Sequence, residues 1–484
     1  MLADRLSPAG TSTIGANEHR RASVCLQQAV RKARRLGQPV LASITMPLPA
    51  DVDPSAVVAC SRRPGEPWFV LEQPDRGRRA LAGLGETIGL QATGPRRFAQ
   101  IAERWRALSA TAVSDCTDEP AGCGPVALGG FAFAPEGGGA PHWQGFKPAS
   151  MSVPEALLTR VEQDGQRVVR LTLAAMAQPD DLVEDLLARL LARTAELKQR
   201  PLPLLDPAPT GVFQVASAMP PEHFEAAVTR AKEKIAAGEL QKIVLAREVQ
   251  VHAPVAYDPA AVFGVLREEF PSCFVFCVGR GEAALVAASP ELLVRREGQR
   301  VNTLALAGST RRSADPAVDD HLGEQLLRDG SYREEHAIVA RRIERILSPH
   351  SIWVTAAAEP ELVRIANIQH LATPIRAQLA APMEALELAG LMHPTPAVGG
   401  EPLPVAAPLI PALEGLDRGW YSGPVGWADA TGDGEFCVAL RCALLRGNVA
   451  RCFAGNGIVR DSDPASELAE TEIKLQALLP LLAG

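Results

Sequence analysis

The sequence predicts an α/β protein built on antiparallel sheets with helices around them. Segment 423–458 contains several strand-like runs separated by tight glycine turns, and ELLVRREGQRVNTLALAG (291–308) contains a strand, a Glu-Gly turn and a second strand. Short turns between successive strands require antiparallel pairing, whereas a doubly wound sheet would place a helix between them. The run EHFEAAVTRAKEKIAAGEL (222–240) has the apolar spacing of an amphipathic helix.

Composition excludes several classes of protein. The chain has 484 residues, of which 47% are hydrophobic and 22% charged, as in a globular protein of one large or two smaller domains. Neither a signal sequence within residues 1–20 nor a run of about 18 apolar residues is present. The net charge of −7 is spread out, without a basic stripe. We therefore expect a cytoplasmic protein without a membrane or nucleic-acid partner.

The nine cysteines are scattered, and no CxxC pair or histidine-rich run accompanies them. This pattern favours reduced, mostly buried thiols over a zinc site.

The N-terminal part shows mixed helix and strand patterns. Residues 1–20 have the composition of a disordered segment, and the fold is expected to begin near residue 21 with the helical run ASVCLQQAVRKARRLG. Two alternating β-branched runs flank Asp164-Gly165, which predicts a hairpin. A helix is expected at 179–198. Prolines at 201, 203, 207 and 209 then predict a linker over 201–215, followed by the most strongly patterned region, 216–484.

Lys242 lies in the predicted strand QKIVLAREVQV (241–251), which follows the stop signal Gly238 of the preceding helix. Its side chain shares a strand face with Val244 and Ala246, so neither face of the strand is polar. Burial disfavours an ammonium, which predicts a lysine that could act as a base at neutral pH. The alternative is an edge lysine whose ammonium reaches solvent.

Two carboxylates stand out on other predicted elements. Glu291 opens a strand after a proline, where a solvated acid is the ordinary interpretation. Glu335 falls on the apolar stripe of a helix over 332–347, so its carboxylate needs a metal ion or a cation as partner. A helix register shifted by one residue would instead turn Glu334 or His336 inward.

The C-terminal segment predicts a helix over 465–479, with Asp463 as N-cap and Pro464 at the first helical position. Glu467, Glu470 and Lys474 share one face of this helix. An exposed Glu470–Lys474 ion pair would be worth only about 0.3 to 0.5 kcal/mol. Together with Glu335, however, carboxylates on two helices suit a hard cation such as Mg²⁺.

These segments resemble the chorismate-utilising enzymes, which include anthranilate, aminodeoxychorismate, salicylate and isochorismate synthases. The resemblance runs in order over 216–484 and is weaker over the first 200 residues, around GGFAFAP and HWQGF. It is carried by QKIVLAR, ASPELLV, LALAGSTRR, EEHAIV, IQHLATPI, HPTPAVGG, DRGWYSGPVGW, VALRCALL and FAGNGIVRDSDPASELAETEIKL. The resemblance implies a two-sheet sandwich core surrounded by helices.

Within this family, HPTPAVGG is similar to the isochorismate synthases. Membership would imply that Lys242 activates water, which attacks C2 of chorismate, and that Glu291 protonates the departing C4 hydroxyl. It would also imply that Glu335 and Glu470 coordinate Mg²⁺, with Glu467 nearby. Substrate-binding positions implied in the same way are Ala307, Gly308, Ser309, His370, Ala397, Arg441, Gly455, Gly457 and Lys474.

Three departures from the family pattern bear on the metal site. Glu334 precedes the expected ligand where histidine is more usual, Asn456 stands where alanine is common, and Ala469 where many relatives have arginine. None of them removes a residue assigned to chemistry.

Two alternatives remain open at the level of sequence: a salicylate synthase, which would also eliminate pyruvate, and a catalytically silent chorismate-binding protein. The resemblance implies a monomer without a glutaminase subunit. The downstream use of isochorismate, in siderophore, salicylate or menaquinone synthesis, is not encoded in these motifs.

Overall fold

The computed structural model describes residues 15–116, 119–206, 209–365 and 367–484. Of the segment expected to be disordered, residues 1–14 lie outside this range, and the first helix begins at Ala16. Residues 207 and 208 of the expected linker also lie outside it. A strand begins at Gln214, within the last residues of that linker.

The described residues form twelve α-helices. They are α1 (Ala16–Leu36), α2 (Pro54–Ser61), α3 (Arg97–Thr111), α4 (Val183–Glu196), α5 (Pro221–Ala236), α6 (Pro259–Glu269), α7 (Pro316–Arg328), α8 (Gly330–Leu347), α9 (Ala385–Met392), α10 (Leu403–Glu414), α11 (Pro464–Leu475) and α12 (Leu479–Ala483).

The strands follow the chain in the same numbering. They are β1 (Val40–Leu48), β2 (Trp68–Gln73), β3 (Arg79–Leu84), β4 (Ile88–Ala92), β5 (Val113–Ser114), β6 (Val126–Phe131), β7 (Ala149–Val153), β8 (Ala156–Gln163), β9 (Gln166–Ala177), β10 (Gln214–Ser217), β11 (Lys242–His252), β12 (Phe274–Arg280), β13 (Ala283–Ser289), β14 (Leu292–Glu297), β15 (Arg300–Arg311), β16 (Ser351–Ala356), β17 (Glu361–Arg364), β18 (Ile368–Leu379), β19 (Gly400–Glu401), β20 (Pro424–Asp429), β21 (Gly434–Val438), β22 (Cys442–Arg446) and β23 (Val449–Ile458).

Two large sheets organise these strands. The first has 13 strands in the order β10-β11-β23-β22-β13-β12-β2-β3-β8-β9-β1-β5, with β19 paired to the start of β11. The second has 10 strands in the order β16-β18-β15-β14-β21-β20-β6-β7-β4, with β17 paired to β18. Among the described strands, the short β1–β5 contact is parallel and the other pairings are antiparallel. The predicted fold class is confirmed.

Each sheet joins one block of strands from the early part of the chain to one block from the late part. Strand β2 pairs with β12 in the first sheet, and β6 pairs with β20 in the second. One buried cluster contains apolar residues of both sheets, including Phe69 and Phe276 from the first and Val425 and Cys437 from the second. The sheets therefore pack face to face in a sandwich, with helices covering their outer faces.

Several local predictions are confirmed. Asp164 and Gly165 have φ values of 52° and 74°, which suit the two-residue turn joining β8 to β9. Asp463 caps α11 by accepting a hydrogen bond from the Ser466 backbone N–H. This helix ends at Leu475 rather than near residue 479, and the short helix α12 begins at Leu479 with Pro480 in its first turn.

The cysteines are free thiols, and seven of the nine are buried. In the part of the chain that is described, no helix combines the length and apolar character needed to span a bilayer.

Candidate active site

A cavity of about 320 Å³ brings together residues from distant parts of the sequence. It lies between β11, β23, α8 and α11, and its volume is at the lower end of the range for ligand pockets. Thirteen of the fourteen predicted site residues line it: Glu291, Ala307, Gly308, Ser309, Glu335, His370, Ala397, Arg441, Gly455, Gly457, Glu467, Glu470 and Lys474.

The remaining predicted residue, Lys242, lies directly behind this lining. It is the first residue of β11, and its side chain is 1% exposed, which excludes the solvent-reaching alternative. Its Nζ atom is 2.9 Å from Oε1 of Glu335. The buried ammonium therefore has the carboxylate partner that its burial requires.

Gly457 makes this approach possible. It pairs with Val244 across β11 and β23, next to the Lys242 side chain. A Cβ atom at this position would overlap the Glu335 carboxylate and lie 2.5 Å from Cε of Lys242. The absence of a side chain at residue 457 thus gives Lys242 its room beside the cavity.

Helix α8 supplies Glu335 as its periodicity predicts. Val339 and Ile343 are buried on the same stripe, and the Glu335 side chain is 12% exposed. Glu334 is exposed, whereas His336 is also buried and lies 2.7 Å from the Thr373 hydroxyl. The helix therefore turns residues 335 and 336 inward together, and the register prediction for Glu335 is confirmed.

Glu291 is buried between β13 and β14, and the interpretation as a solvated acid is wrong. The residue is 4% exposed. Burial raises its pKa to about 8, although Lys242 and Arg441 act in the opposite direction. The carboxyl group is therefore largely protonated at neutral pH, so it can donate a proton to a group bound in the cavity.

Arg441 and His370 form the polar wall opposite the acidic helices. Arg441 has a φ of 47°, and its Nη2 atom is 3.3 Å from Nε2 of His370. Burial, together with the nearby Arg441 and Lys474 cations, lowers the pKa of His370 well below its usual range. The imidazole is therefore neutral, and the positive charge of this wall resides on the guanidinium.

The acidic part of the cavity is held by α11. The Glu470 carboxylate accepts a 2.5 Å hydrogen bond from Ser309 and lies 2.7 Å from Nζ of Lys474. Burial opposes its ionisation, but these contacts keep the pKa of Glu470 below its usual value. Burial and the neighbouring Glu470 raise the pKa of Glu467 to about 7. The negative charge of the Glu467–Glu470 pair is thus carried mainly by Glu470.

Comparison with known proteins identifies the family. The family model described as Chorismate binding enzyme matches residues 26–483, nearly the whole chain. The chain belongs to this family.

Two similar members of the chorismate binding enzyme family are isochorismate synthases by name. The salicylate biosynthesis isochorismate synthase of Pseudomonas aeruginosa is 37% identical over 459 residues, which cover 95% of this chain and 93% of the relative. Isochorismate synthase MenF of Bacillus subtilis is 32% identical over 417 residues, which cover 84% and 85% of the two chains.

Solved structures agree with the fold. The menaquinone-specific isochorismate synthase MenF of Escherichia coli is 27% identical with a TM-score of 0.75, and the match covers 95% of this chain and all of that one. Anthranilate synthase component I of Streptococcus pneumoniae, at 23% identity and a TM-score of 0.59, covers 75% of this chain and 81% of its own and shares the fold. The predicted family and the predicted sandwich fold are both confirmed.

The chemistry of the acidic residues fits the Mg²⁺ ion suggested by their sequence pattern. Carboxylate oxygens are the donors that Mg²⁺ prefers. Burial raises the pKa of Tyr332 to about 12, and the nearby carboxylates of Glu470, Glu467 and Glu335 act in the same direction, so the three acids lie around this ring. Over the described residues, however, no three acidic, histidine or cysteine side chains form a compact metal-binding group. Glu335 and Glu470 are instead bonded to lysines.

Asn456, one of the departures from the family pattern, lies between two of the charged groups. Its Nδ2 atom donates to Oε2 of Glu467 at 2.9 Å, and its Oδ1 atom accepts from Nζ of Lys474 at 2.7 Å. An alanine could make neither bond. The asparagine therefore fixes the relative positions of an acid and a lysine on α11.

Sequence reasoning missed two tyrosines that line the cavity, Tyr332 and Tyr421. Tyr421 stacks on Phe453, with ring centroids 5.1 Å apart. Both residues occur in or beside recognised segments, DRGWYSG for Tyr421 and the start of α8 for Tyr332. Their sequence neighbours gave a signal, but which way each ring points depends on the packed structure.

Proposed function

We propose that this member of the chorismate binding enzyme family is an isochorismate synthase, which converts chorismate to isochorismate. The names and coverage of the similar proteins support this assignment. The observation that carries it is the pairing, at one cavity, of a buried lysine with a buried carboxyl group that is protonated at neutral pH.

In the proposed reaction, water attacks C2 of the ring as the ring double bond shifts and the C4–O bond breaks. Lys242 takes a proton from the attacking water, and Glu291 gives a proton to the departing hydroxyl, which leaves as water. One water is consumed and one is released, so the product is an isomer of the substrate. The protonation state of Glu291 suits its role, because a general acid must hold its proton before the reaction.

The ion pair with Glu335 bears on the role of Lys242. The Nζ atom of Lys242 is bonded to the Glu335 carboxylate 2.9 Å away, whereas a general base needs a nitrogen that is free to take a proton from water. Binding of Glu335 to another cation would release Lys242 from this ion pair. The proposed roles of Lys242 and Glu335 are therefore linked.

Substrate binding is proposed for the other residues of the cavity. Chorismate carries two carboxylates, and the Arg441 guanidinium is a cation that they can reach. Lys474 balances the acidic helix, and the backbone of Gly455 and Gly457 allows close approach of the ligand. The walls around the ring are assigned to Ala307, Gly308, Ser309, His370 and Ala397.

We further propose that Glu335 and Glu470 hold Mg²⁺, with Glu467 beside them. When bound, the ion would neutralise the ring carboxylate of chorismate and orient the ring. Because lysines occupy the Glu335 and Glu470 carboxylates, metal binding requires these ion pairs to open.

The direct test is to incubate the purified protein with chorismate and Mg²⁺, with and without ammonium, and to identify the products by chromatography and mass. Isochorismate that disappears on addition of EDTA is expected. Salicylate with pyruvate would assign the bifunctional reaction, an aminated product would assign the ammonia-using branch, and unchanged chorismate would indicate a silent binding protein. We also expect a cytoplasmic monomer without a glutaminase subunit, which size-exclusion chromatography can examine.

A further inference from the structure

Asn456 is a buried residue that contacts the acidic helix α11 from outside the cavity. It lies on β23 opposite Leu245, is 2% exposed, and is not among the residues that line the cavity. Its neighbours Gly455 and Gly457 do line the cavity, and alternate residues of a strand face opposite sides. Asn456 can therefore influence a bound ligand only through the residues that it contacts.

The amide of Asn456 has one orientation that satisfies all of its contacts. Its Nδ2 atom donates to the backbone oxygen of Glu467 at 2.7 Å and to Oε2 of the same residue at 2.9 Å. Both amide protons are thereby used, and Oδ1 faces Lys474 as an acceptor. The opposite orientation would place the NH2 group against the Lys474 ammonium and the amide oxygen against the two acceptors of Glu467. The contacts with Glu467 thus fix Oδ1 as a hydrogen-bond acceptor for Lys474.

Lys474 is held mainly by strand β23. Its ammonium has three N–H donors. They reach three acceptors, the Gly455 carbonyl at 3.1 Å, Oδ1 of Asn456 at 2.7 Å and Oε1 of Glu470 at 2.7 Å. Two of these acceptors belong to adjacent residues of β23, and neither depends on Glu470. The Lys474 side chain is 10% exposed, so little water can reach it to replace an acceptor that is lost.

The third acceptor, Glu470, is a proposed ligand of Mg²⁺, and its ion pair with Lys474 has to open when a cation binds. With Asn456 present, the ammonium then keeps two acceptors. With Gly455 as its one remaining acceptor, two N–H donors of a buried ammonium would be unsatisfied, which is strongly unfavourable. Asn456 therefore makes the release of Glu470 easier.

We propose that Asn456 is a positioning residue for the metal site, which keeps Lys474 on β23 while Glu470 binds the cation. The inference rests on the Mg²⁺ site of the proposed function, and it adds a residue that contacts neither the cation nor the substrate. Alanine, which is common at this position in the family pattern, would offer Lys474 no acceptor. The Asn456→Ala variant should therefore fold but bind Mg²⁺ more weakly than the wild type.

Isothermal titration calorimetry of the full-length protein with Mg²⁺, without chorismate, measures this affinity directly. Asn456→Ala should weaken Mg²⁺ binding about tenfold, the effect of one lost hydrogen bond to a charged group. Asn448→Ala is the matched control, since the Asn448 amide bonds to the Ala253 carbonyl from an exposed turn outside the cavity. The control should bind Mg²⁺ as the wild type does, and Tm confirms that each variant is folded.

A double-mutant cycle tests whether Asn456 acts through Lys474. In the Lys474→Met background the ammonium is absent, so the addition of Asn456→Ala should change Mg²⁺ affinity by less than about twofold. An undiminished effect of Asn456→Ala in this background would overturn the proposed action through the lysine.

Turnover of chorismate separates this inference from the proposed reaction. In Asn456→Ala, the Mg²⁺ concentration for half-maximal turnover should rise about tenfold, while kcat at saturating Mg²⁺ falls by less than about threefold. A general folding defect would instead lower kcat at every Mg²⁺ concentration. Mg²⁺ binding without turnover by the wild type would refute the proposed reaction alone. Equal Mg²⁺ affinity of the wild type and Asn456→Ala, or no Mg²⁺ binding by the wild type, would overturn the role of Asn456.

Discussion

Strand β11 carries buried charge at two places on one face, and the two places differ in how that charge is satisfied. At the Glu248 end, Arg451 and Gln250 complete the hydrogen bonding of one carboxylate oxygen. At the Lys242 end, the buried Glu291 remains protonated up to about pH 8 because the effect of burial on its pKa outweighs the opposing effects of Lys242 and Arg441.

The difference shows that burial of charge does not by itself mark a reactive site. Both ends bury a carboxylate and a cation, and at the Lys242 end the pKa of the buried Glu291 is raised well above its ordinary value. A perturbed group in a cavity is a physical sign of a functional site, whereas a closed ion pair can serve architecture alone.

The strongest test of this contrast is removal of the reactive groups. Lys242→Ala and Glu291→Gln should each lower kcat about a thousandfold, because each removes a proton-transfer group. Turnover of chorismate is measured alongside circular dichroism and Tm, to confirm folding. Lys234→Ala and Glu239→Gln, from an exposed ion pair, are matched controls with unchanged kcat. Wild-type-like turnover in either active-site variant would refute the role of that residue.

A second test addresses the ion pair between the two ends. Arg418 and Glu414 are almost fully buried, and they bond to the backbone carbonyl of Val244 and the backbone N–H of Ala246. Arg418→Met leaves a buried carboxylate unpaired, so the free energy of unfolding should fall by about 3 to 5 kcal/mol. Urea denaturation measures it.

The exposed pair Arg96–Glu103 provides the matched control for this measurement. Arg96→Met should change the free energy of unfolding by less than about 1 kcal/mol. Equal effects of the two substitutions would show that the buried pair contributes nothing specific to β11.

The close packing around Lys242 can be tested by adding one methyl group. In Gly457→Ala, the new Cβ atom would collide with Glu335 and Lys242, so kcat/KM should fall about a hundredfold. Gly330→Ala, at the start of α8, meets no atom within 4 Å and should retain wild-type kinetics. If Gly457→Ala were equally active, Lys242 would not depend on this tight fit.

The last test concerns the pH dependence of activity and stability. Loss of the Glu291 proton should lower kcat/KM tenfold per pH unit above about pH 8. Its pKa is raised on folding from 4.5, so the folded protein holds a proton that the unfolded chain releases over this window. The free energy of unfolding should therefore fall as pH rises from 4.5 to about 8, by at most about 1.4 kcal/mol per pH unit. Glu291→Gln should remove this slope, and an unchanged slope would contradict the assignment.

Local pattern was enough to predict much of the fold and the first cavity. Alternation predicted the Asp164-Gly165 hairpin, and helical periodicity predicted the inward position of Glu335. Glu291 was different, since a residue at a strand start gives no local sign of burial. Its environment comes from β13, β14 and the distant residues Lys242 and Arg441.

A cavity of about 260 Å³ beside Glu248 could not be predicted from local pattern. Its walls come from five segments, 140–142, 218–227, 245–250, 413–417 and residue 451. Three of these segments overlap the motifs HWQGF, QKIVLAR and DRGWYSGPVGW, but the motifs do not show that the segments meet in space. The positions of Tyr421 and Tyr332 in the first cavity were not predicted for a similar reason, because tertiary packing sets the orientation of each ring.

The joining of an early and a late block of strands within each sheet has a consequence for dividing the gene. A fragment starting at residue 216 would lack β2 and β6, and so would leave the apolar strands β12 and β20 with open edges inside each sheet. Open apolar edges recruit other chains and promote aggregation. The two halves would therefore have to be co-expressed, each completing the other's sheets, as in a split-protein complementation reporter.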